Sequence, residues 1–311
     1  MKLMLFATGS VAVPTLERLA SSPAHALTCV TQPDRPQGRG LRQLPSPVKA
    51  RANELGVPVD EPEDLAAWVV AAASAPRPDA GIVVDYGRLL PRELLEWPAH
   101  GCLGIHPSLL PKHRGAGPVP WAILNGDAET GVTIYQLTER LDDGAILAQR
   151  AVPIRPGETT ATLSERLAVL GSDVLAETLE SLGRGALSPR PQGAAGASYA
   201  PKLTKASGQI RWDQPAAAID RLVRGTSPWP GAWTSWRGQP VRIWSVRMEP
   251  GLSGSASAPG SILSASADGI RVASSDGIVV IQELQLAGRR HMPAAAFLAG
   301  HAIQPGETFG E

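Results

Sequence analysis

Short apolar runs alternate with segments of helical periodicity over residues 1–185, and this alternation limits the possible folds more than any other feature. Each run is bounded by turn residues, which is typical of buried strands. The predicted strands are residues 2–6, 26–31, 81–84, 102–105 and 132–137. The predicted helices are residues 13–20, 47–55, 64–73, 118–125 and 162–182. Strands separated by helices indicate an α/β domain with an open, Rossmann-like parallel sheet.

The rest of the chain has a different character. Residues 186–207 are rich in Gly, Ala, Pro and Ser without periodicity, which predicts a linker. Residues 208–311 then contain short apolar segments separated by turn residues, with Arg237-Gly238 and Asp276-Gly277 at hairpin positions. The predicted strands are residues 210–212, 232–236, 241–247, 261–264, 270–273 and 278–286, with one helix at 215–223. Short strands at this spacing favour a small β-barrel domain.

The composition excludes several classes of protein. Basic and acidic residues balance at 29 each, so a local patch, and not the overall charge, would have to hold any nucleic acid. Cys29 and Cys102 each lie in an apolar run, which favours buried thiols over a disulfide or a metal pair. No apolar segment is long enough to span a bilayer, and residues 1–7 fit a first strand better than a signal peptide. We expect a cytoplasmic monomer without a membrane partner.

One histidine stands where open α/β sheets usually carry out chemistry. His106 follows the predicted strand 102–105 and begins a proline-punctuated loop, a position where parallel sheets commonly hold functional residues. A second polar segment, Leu141-Asp142-Asp143-Gly144, follows the predicted strand 132–137 and brings a carboxylate to the neighbouring sheet edge. A histidine oriented by a carboxylate can stabilise an oxyanion and transfer a proton. The spacing leaves Asp142 and Asp143 as alternative partners, with a plain Asp-Gly turn as a third interpretation.

Other cofactor sites are not indicated. The turn after the first strand lacks Gly-x-Gly-x-x-Gly and Walker sequences, so neither a nicotinamide cofactor nor ATP is expected. His106 and His113 have no third ligand at a metal-binding spacing, so no metal is expected. His113 and Arg114 precede the predicted helix 118–125, and a loop that enters a helix N-terminus favours anions or carbonyl oxygens.

A polar, arginine-rich loop spans residues 32–49. Gly38 and Gly40 flank one of its arginines, and a single acidic residue, Asp34, opposes its basic residues. The basic residues of this loop are Arg35, Arg39, Arg42 and Lys49. Long flexible loops with arginines can become ordered on binding RNA, because phosphate contacts supply the affinity. The alternative interpretation is a solvated surface loop without a partner.

Seven segments of the chain are similar to those of the folate-dependent formyltransferase family. They are residues 32–49, 85–91, 106–118, 126–134, 141–144, 199–203 and 227–233. The His-Pro-Ser-Leu-Leu-Pro segment resembles all folate-dependent formyltransferases and hydrolases, whereas the loop around Arg39 resembles that of the methionyl-tRNA formyltransferases. The resemblance implies a formyltransferase domain followed by an OB-like β-barrel that contacts tRNA. It also implies transfer of a formyl group from 10-formyltetrahydrofolate to the α-amino group of methionyl initiator tRNA, for translation initiation.

The resemblance also assigns roles to individual residues. It implies that His106 stabilises the oxyanion or relays the proton, and that Asp142 sets the charge and orientation of His106. The implied folate-binding residues are Ser108, Leu109, Leu110, Pro111, Asp85, Tyr86, Gly87 and Leu89. The implied tRNA-binding residues are Arg35, Arg39, Arg42 and Lys49. It implies no metal.

Gly104 departs from the family pattern. The family usually has an asparagine two residues before the histidine, and that side chain donates a hydrogen bond to the oxyanion. Loss of one such donor costs about 10²–10³ in kcat. A water or neighbouring donor could replace it, the enzyme could be slower, or the chemistry could have moved towards hydrolysis. We expect a working transferase in which Gly104 leaves room for a water, because a folate hydrolase would have no evident use for the Arg39 loop.

Three alternative functions remain open on the sequence. The first two are a 10-formyltetrahydrofolate hydrolase and an amino-sugar formyltransferase on the same scaffold. The third is a tRNA-binding relative with weakened catalysis, which Gly104 alone suggests. The presence of both His106 and Asp142 argues against this third function.

Overall fold

The computed structural model describes residues 1–37, 42–72, 76–250 and 257–310, and the chain forms two compact units. The first unit comprises Met1–Pro118, Glu129–Pro153 and Ser164–Ala200. The second comprises Val119–Ala128, Ile154–Leu163 and Pro201–Glu311. The predicted limits, with domains at 1–185 and 208–311 and a linker at 186–207, stay a prediction. The compact units differ from them by assigning 186–200 to the first unit and two inner segments to the second.

A seven-stranded sheet forms the centre of the first unit, with strand order β5-β2-β1-β6-β7-β8-β9. β3 and β4 form a separate two-stranded antiparallel sheet in the arginine-rich loop. The strands are β1 (Lys2–Ala7), β2 (Ala26–Val30), β3 (Arg35–Gln37), β4 (Arg42–Leu44), β5 (Val59–Asp60), β6 (Ala80–Val84), β7 (Cys102–His106), β8 (Glu129–Gln136) and β9 (Ile146–Pro153). The first six helices in chain order are α1 (Val13–Ala20), α2 (Pro47–Glu54), α3 (Leu65–Ala72), α4 (Arg92–Glu96), α5 (Pro118–Leu124) and α6 (Thr160–Gly183).

The predicted open α/β sheet is confirmed, with a difference in strand direction at one edge. β5, β2, β1, β6 and β7 are parallel, whereas β8 pairs antiparallel with β7 and β9 antiparallel with β8. An apolar run such as Val132–Ile134 reports burial but not direction, so the sequence did not distinguish the two arrangements. β9 was missed because most of its residues are partly or fully exposed, which weakens the apolar signal.

Central strands β1, β6 and β7 are buried along nearly their whole length, as strands covered on both faces of a sheet must be. Cys29 and Cys102 are free thiols in this core, which confirms the prediction from their apolar surroundings. Burial raises the pKa of both thiols to about 12, so neither forms a reactive thiolate near neutral pH.

The second unit contains an antiparallel sheet with strand order β10-β11-β14-β13-β12, and β15 pairs with β14. Its elements are α7 (Ala216–Gly225), β10 (Ala232–Trp236), β11 (Gln239–Pro250), β12 (Ile262–Ser266), β13 (Gly269–Ala273), β14 (Gly277–Leu286), β15 (Met292–Pro293) and α8 (Ala294–Gly300). The predicted small β-barrel domain is confirmed as a small domain built on one antiparallel sheet. In the described residues β10 and β12 are the two outermost strands of this strand order.

The strand predicted at residues 210–212 is wrong. Only an isolated bridge between Gln209 and Trp233 forms there. The Trp212 side chain instead packs in the core, stacks on Phe309 at 5.8 Å between ring centroids, and donates its indole N–H to Thr234 Oγ1 at 3.0 Å. Side-chain burial of a large aromatic residue gives the same sequence signal as a strand.

Within the described ranges, no helix has an apolar stretch long enough to cross a membrane.

Close packing at the start of β6 gives a stability prediction. A Cβ at Gly81 would lie 2.6 Å from Cys102 Sγ on the paired strand β7, and 3.5 Å from Phe6 Cε2. We expect Gly81→Ala to destabilise the fold by about 1–3 kcal/mol, because the core there cannot expand without moving the sulfur. In the Cys102→Ala background the same change should cost less, since the blocking atom is gone. Urea unfolding of both single variants and the double variant measures this, and additive effects would contradict it.

Candidate active site

His106 is the last residue of β7 and is only 6% exposed. Its Nε2 lies 2.8 Å from the carbonyl oxygen of His113. Because a carbonyl only accepts hydrogen bonds, Nε2 must carry the proton, which leaves the lone pair of the neutral ring on Nδ1. Nδ1 faces Asp142 Oδ2 at 3.7 Å. The ring is therefore fixed by one nitrogen, while the other is free to exchange a proton beside a carboxylate.

Burial lowers the pKa of His106, and this effect exceeds the opposing effects of the Asp142 charge and the hydrogen bond to the His113 carbonyl. The imidazole is therefore neutral at pH 7. A neutral ring beside a carboxylate can accept a proton, and the imidazolium that forms would be stabilised by the nearby negative charge.

The loop after β7 is held in a fixed shape by side-chain hydrogen bonds, and two of the residues that make them, Ser108 and Thr133, are buried. Ser108 Oγ donates to the Lys112 carbonyl at 2.6 Å, which folds the loop back on itself. Thr133 Oγ1 donates to the Ser108 carbonyl at 2.7 Å and accepts the Leu110 N–H at 3.1 Å. Gln149 Nε2 also donates to Thr133 Oγ1, at 2.8 Å. This folding places the His113 carbonyl against His106.

Asp142 is 8% exposed and its carboxylate is held at both oxygens. Oδ2 accepts the Gly115 N–H at 2.7 Å, and Oδ1 accepts the Tyr135 hydroxyl at 2.7 Å. Its backbone has a positive φ of 51°. Gln192 Nε2 donates to the Asp142 carbonyl at 2.9 Å and to the Gly144 carbonyl at 2.8 Å, and so supports this unusual backbone.

Asp143 is not the partner of His106. Its carboxylate lies 3.7 Å from Arg140 Nη1, at a more exposed position. Of the two candidates that the sequence left open, the structure brings only Asp142 to the histidine.

The space beside Gly104 is filled by protein. Gly104 pairs across the sheet with Tyr135. A Cβ at Gly104 would lie 2.8 Å from Tyr135 Cζ and 2.6 Å from Leu137 Cδ1, and it would also collide with Tyr135 Cε1. The expectation that Gly104 leaves room for a water is therefore wrong, because a bulky partner on the neighbouring strand occupies that volume.

The second segment with predicted folate contacts is the turn that follows β6. β6 lies between β1 and β7 in the sheet. The N–H groups of Thr8 and Gly9 donate to the Asp85 carbonyl at 3.2 and 3.3 Å. Asp85 has φ 45°, and its carboxylate lies against Gly9, where an added Cβ would be 2.7 Å from Asp85 Cγ. Thr8 Oγ1 and Gln32 Nε2 both donate to the Tyr86 carbonyl. The turn is thus tied to the loops after β1 and β2.

The predicted folate-binding side chains differ in their surroundings. The Tyr86 side chain is 2% exposed and packs edge-on against Phe6, at 5.7 Å between ring centroids. Leu110 is buried in a small cluster with Tyr135 and Ile146. Leu89 is 85% exposed. Tyr86 and Leu110 therefore shape the loops from within, whereas Leu89 is available at the surface.

The predicted tRNA-binding residues are only partly described. β3 and β4 pair antiparallel, with Arg35 opposite Leu44 and Gln37 opposite Arg42, and Arg39 lies outside the described residues. Lys49 Nζ lies 2.8 Å from Asp34 Oδ2 and 2.8 Å from Glu61 Oε2. The ammonium of Lys49 is therefore already paired with two carboxylates at the base of this loop.

Sequence reasoning missed two residues that hold Asp142. Tyr135 lies on the same face of the sheet as Gly104 and His106. The alternation of side chains along β8 could have predicted this position only if the pairing register of β8 with β7 had been known. Gln192 lies in the predicted linker, and no sequence signal indicates its contact. In the described part of the chain, no three His, Cys, Asp or Glu side chains lie close enough together to hold a metal.

Comparison with known proteins gives a consistent family assignment. Residues 1–179 match the formyl transferase family model, and residues 202–302 match the model of the formyl transferase C-terminal domain. A methionyl-tRNA formyltransferase of Geotalea uraniireducens is 42% identical over 312 aligned residues, covering 100% of this chain and 98% of the relative. A methionyl-tRNA formyltransferase of Roseiflexus sp. is 44% identical, covering 100% of this chain and 96% of the relative.

Solved structures share the fold at lower identity. HypX from Aquifex aeolicus in complex with tetrahydrofolic acid is 23% identical with a TM-score of 0.65. The alignment covers 96% of this chain and 46% of HypX, so the chain spans about half the length of that protein. An N-formyltransferase of Helicobacter canadensis in complex with folinic acid and dTDP-3-aminofucose is 17% identical with a TM-score of 0.68, covering 90% and 98%. With both family models and full-length identity above 40%, the chain belongs to the formyl transferase family, among the methionyl-tRNA formyltransferases.

Proposed function

We propose that this protein transfers a formyl group from 10-formyltetrahydrofolate to the α-amino group of methionyl initiator tRNA. The observation that carries this proposal is the buried pair of His106 and Asp142, held at the end of β7 in a chain more than 40% identical to methionyl-tRNA formyltransferases over its full length. Solved structures of this fold with tetrahydrofolic acid and folinic acid support a folate as the formyl donor.

The reaction is an acyl transfer. The methionyl amine attacks the formyl carbon, a tetrahedral oxyanion forms, and the bond from that carbon to N10 of the folate breaks. His106 Nδ1 is the ring nitrogen free to accept the amine proton, because Nε2 is committed to the His113 carbonyl. The same proton would then be available to the departing N10. An imidazolium beside the reacting carbon would also stabilise the oxyanion.

Asp142 supports this proton transfer. Its carboxylate faces Nδ1 at 3.7 Å, which is too long for a direct hydrogen bond but close enough to stabilise positive charge on the ring. Donors at both carboxylate oxygens keep it in this orientation. We propose that Asp142 sets the charge and direction of His106 and helps accept the amine proton.

The remaining contacts are proposals on the same scaffold. The folate would lie against the loop after β7 and the turn after β6, which hold residues Ser108, Leu109, Leu110, Pro111, Asp85, Tyr86, Gly87 and Leu89. The buried side chains of Ser108, Leu110 and Tyr86 would act from within these loops, and the other residues would supply the contacts. The arginines of the loop, Arg35, Arg39 and Arg42, would contact tRNA phosphates. Lys49 stays a predicted tRNA contact, although two carboxylates already pair with it. We expect the protein to act as a monomer in the cytoplasm.

The proposed function is tested by incubation with 10-formyltetrahydrofolate and methionyl initiator tRNA, followed by detection of formyl-methionine. The expected product is formylated tRNA. His106→Gln should lower kcat by about 10²–10⁴, because the proton acceptor is lost. His100→Gln is the matched control, since His100 is exposed and precedes β7 at the opposite end of that strand. Formate release without tRNA labelling, or formylation of an amino sugar instead, would contradict the proposal.

The lowered pKa of His106 predicts the pH dependence of the reaction. The base must be neutral in the free enzyme, so protonation of His106 should add an acid limb to kcat/KM below about pH 6.5, separate from the limb that the methionyl α-amino group gives at its own, higher pKa. Asp142→Asn should move this acid limb to still lower pH, because the carboxylate charge raises the pKa of His106. Asp143→Asn is the matched control and should leave the limb in place. A limb below pH 6.5 that Asp142→Asn leaves in place would argue against His106 as the base.

A further inference from the structure

Tyr135 is a buried phenol at the centre of the site, and it takes part in neither the bond-making nor the proton-transfer steps of the proposed chemistry. It lies on β8 opposite Gly104 and is 7% exposed. Its hydroxyl donates to Asp142 Oδ1 at 2.7 Å, and its ring meets His106 edge-on at 6.3 Å between centroids, with the ring planes at 84°. One side chain therefore touches Asp142, His106 and the face of Gly104.

We propose that Tyr135 is a positioning residue for the formyl transfer, and that Tyr135 and Gly104 form one structural unit. The hydroxyl holds the Asp142 carboxylate in the orientation that faces His106, and the ring occupies the volume that any side chain at position 104 would need. The first part of this inference rests on the proposed function, whereas the steric part does not.

The hydroxyl is needed because a carboxylate bound at one oxygen can still rotate. Gly115 N–H fixes Asp142 Oδ2, the oxygen that faces His106 Nδ1. Tyr135 fixes the other oxygen. Two donors on different oxygens define the plane of the carboxylate, and such charge-assisted hydrogen bonds are about twice as strong as neutral ones.

The ring is itself held in place, so the hydroxyl position is well defined. Leu110 and Ile146 pack against Tyr135 in a buried cluster, with Leu137 at its edge. Burial and the negative charge of Asp142 raise the pKa of the phenol, so the hydroxyl keeps its proton. Tyr135 therefore serves as a lasting donor and does not compete with His106 as a base.

Steric contact ties Tyr135 to Gly104. A Cβ at Gly104 would lie 2.8 Å from Tyr135 Cζ, a distance that real Cβ atoms do not show. Gly104 and His106 lie on the same face of β7, and their partners on β8 are Tyr135 and Thr133. With the Tyr135 ring in this position, any side chain at position 104 would force the ring or Leu137 to move.

Tyr135→Phe tests the positioning role, because it removes the hydroxyl and keeps the ring. We expect kcat for formyl transfer to fall about tenfold, with KM for the folate and the tRNA unchanged within about twofold. The acid limb of kcat/KM should move to lower pH, in the direction expected for Asp142→Asn, because the carboxylate then spends less time facing His106. Thr178→Val is the matched control. It removes another buried hydroxyl, which donates to the Val174 carbonyl on α6, and should leave kcat and the limb unchanged.

Combination with Asp142→Asn shows whether Tyr135 acts through the carboxylate. In the Asp142→Asn background, Tyr135→Phe should lower kcat by less than about twofold. A full tenfold loss in that background would overturn the positioning role, since Tyr135 would then act on the reacting atoms directly. Two results for Tyr135→Phe alone would also overturn the positioning role. One is an unchanged kcat, and the other is an acid limb of kcat/KM that stays in place or moves to higher pH. If the unaltered protein formed no formyl-methionine, the proposed function itself would fail.

The steric part is measured by unfolding and needs no activity. Gly104→Ala should lower the unfolding midpoint, because the added methyl group meets the Tyr135 ring. Tyr135→Ala should lower it through the cavity it leaves. In the double variant the decrease in the unfolding midpoint should be smaller than the sum of the two single decreases, because the added methyl group enters the volume that the Tyr135 ring has vacated. Additive losses would overturn the view that Gly104 and Tyr135 form one unit, whatever the assay of formyl transfer shows.

Discussion

The carboxylate of Asp142, bound at both oxygens, is the interaction on which the candidate site depends. Its donors come from separate parts of the first unit: Gly115 from the loop after β7 and Tyr135 from β8. Gln192, far along the chain, fixes the backbone that presents it. A buried carboxylate without these donors would be costly, because water could no longer satisfy it. The same bonds that remove this cost also direct the charge towards His106.

Burial and charge act on His106 in opposite directions. Burial favours the neutral ring, and Asp142 favours the protonated one, with burial the larger effect. This balance suits a base that begins neutral and becomes charged only during proton transfer. The hydrogen bond from Nε2 to the His113 carbonyl completes the arrangement, because it leaves Nδ1 as the nitrogen that would exchange the proton in the proposed reaction.

Much of the fold and part of the site could be predicted from residue patterns. Apolar runs located the central strands β1, β6 and β7, and placed His106 at a strand end and Asp142 in the next polar segment. The patterns did not show that β8 runs antiparallel, because burial is independent of strand direction. They also suggested a strand around Trp212, where an aromatic side chain packs in the core instead.

The sequence by itself determined the α/β class of the first unit, the small β domain after it, and the residue types at the end of β7. Residue spacing left Asp142 and Asp143 open and the family resemblance implied Asp142, whereas the tertiary structure decided that Asp142 faces His106 and what fills the space beside Gly104. Both depend on the register of β8 against β7 and on contacts between distant residues, such as Gln192 with Asp142. Local periodicity reports whether a side chain is buried. It does not report which neighbour it meets, and at Gly104 that neighbour is the ring of Tyr135.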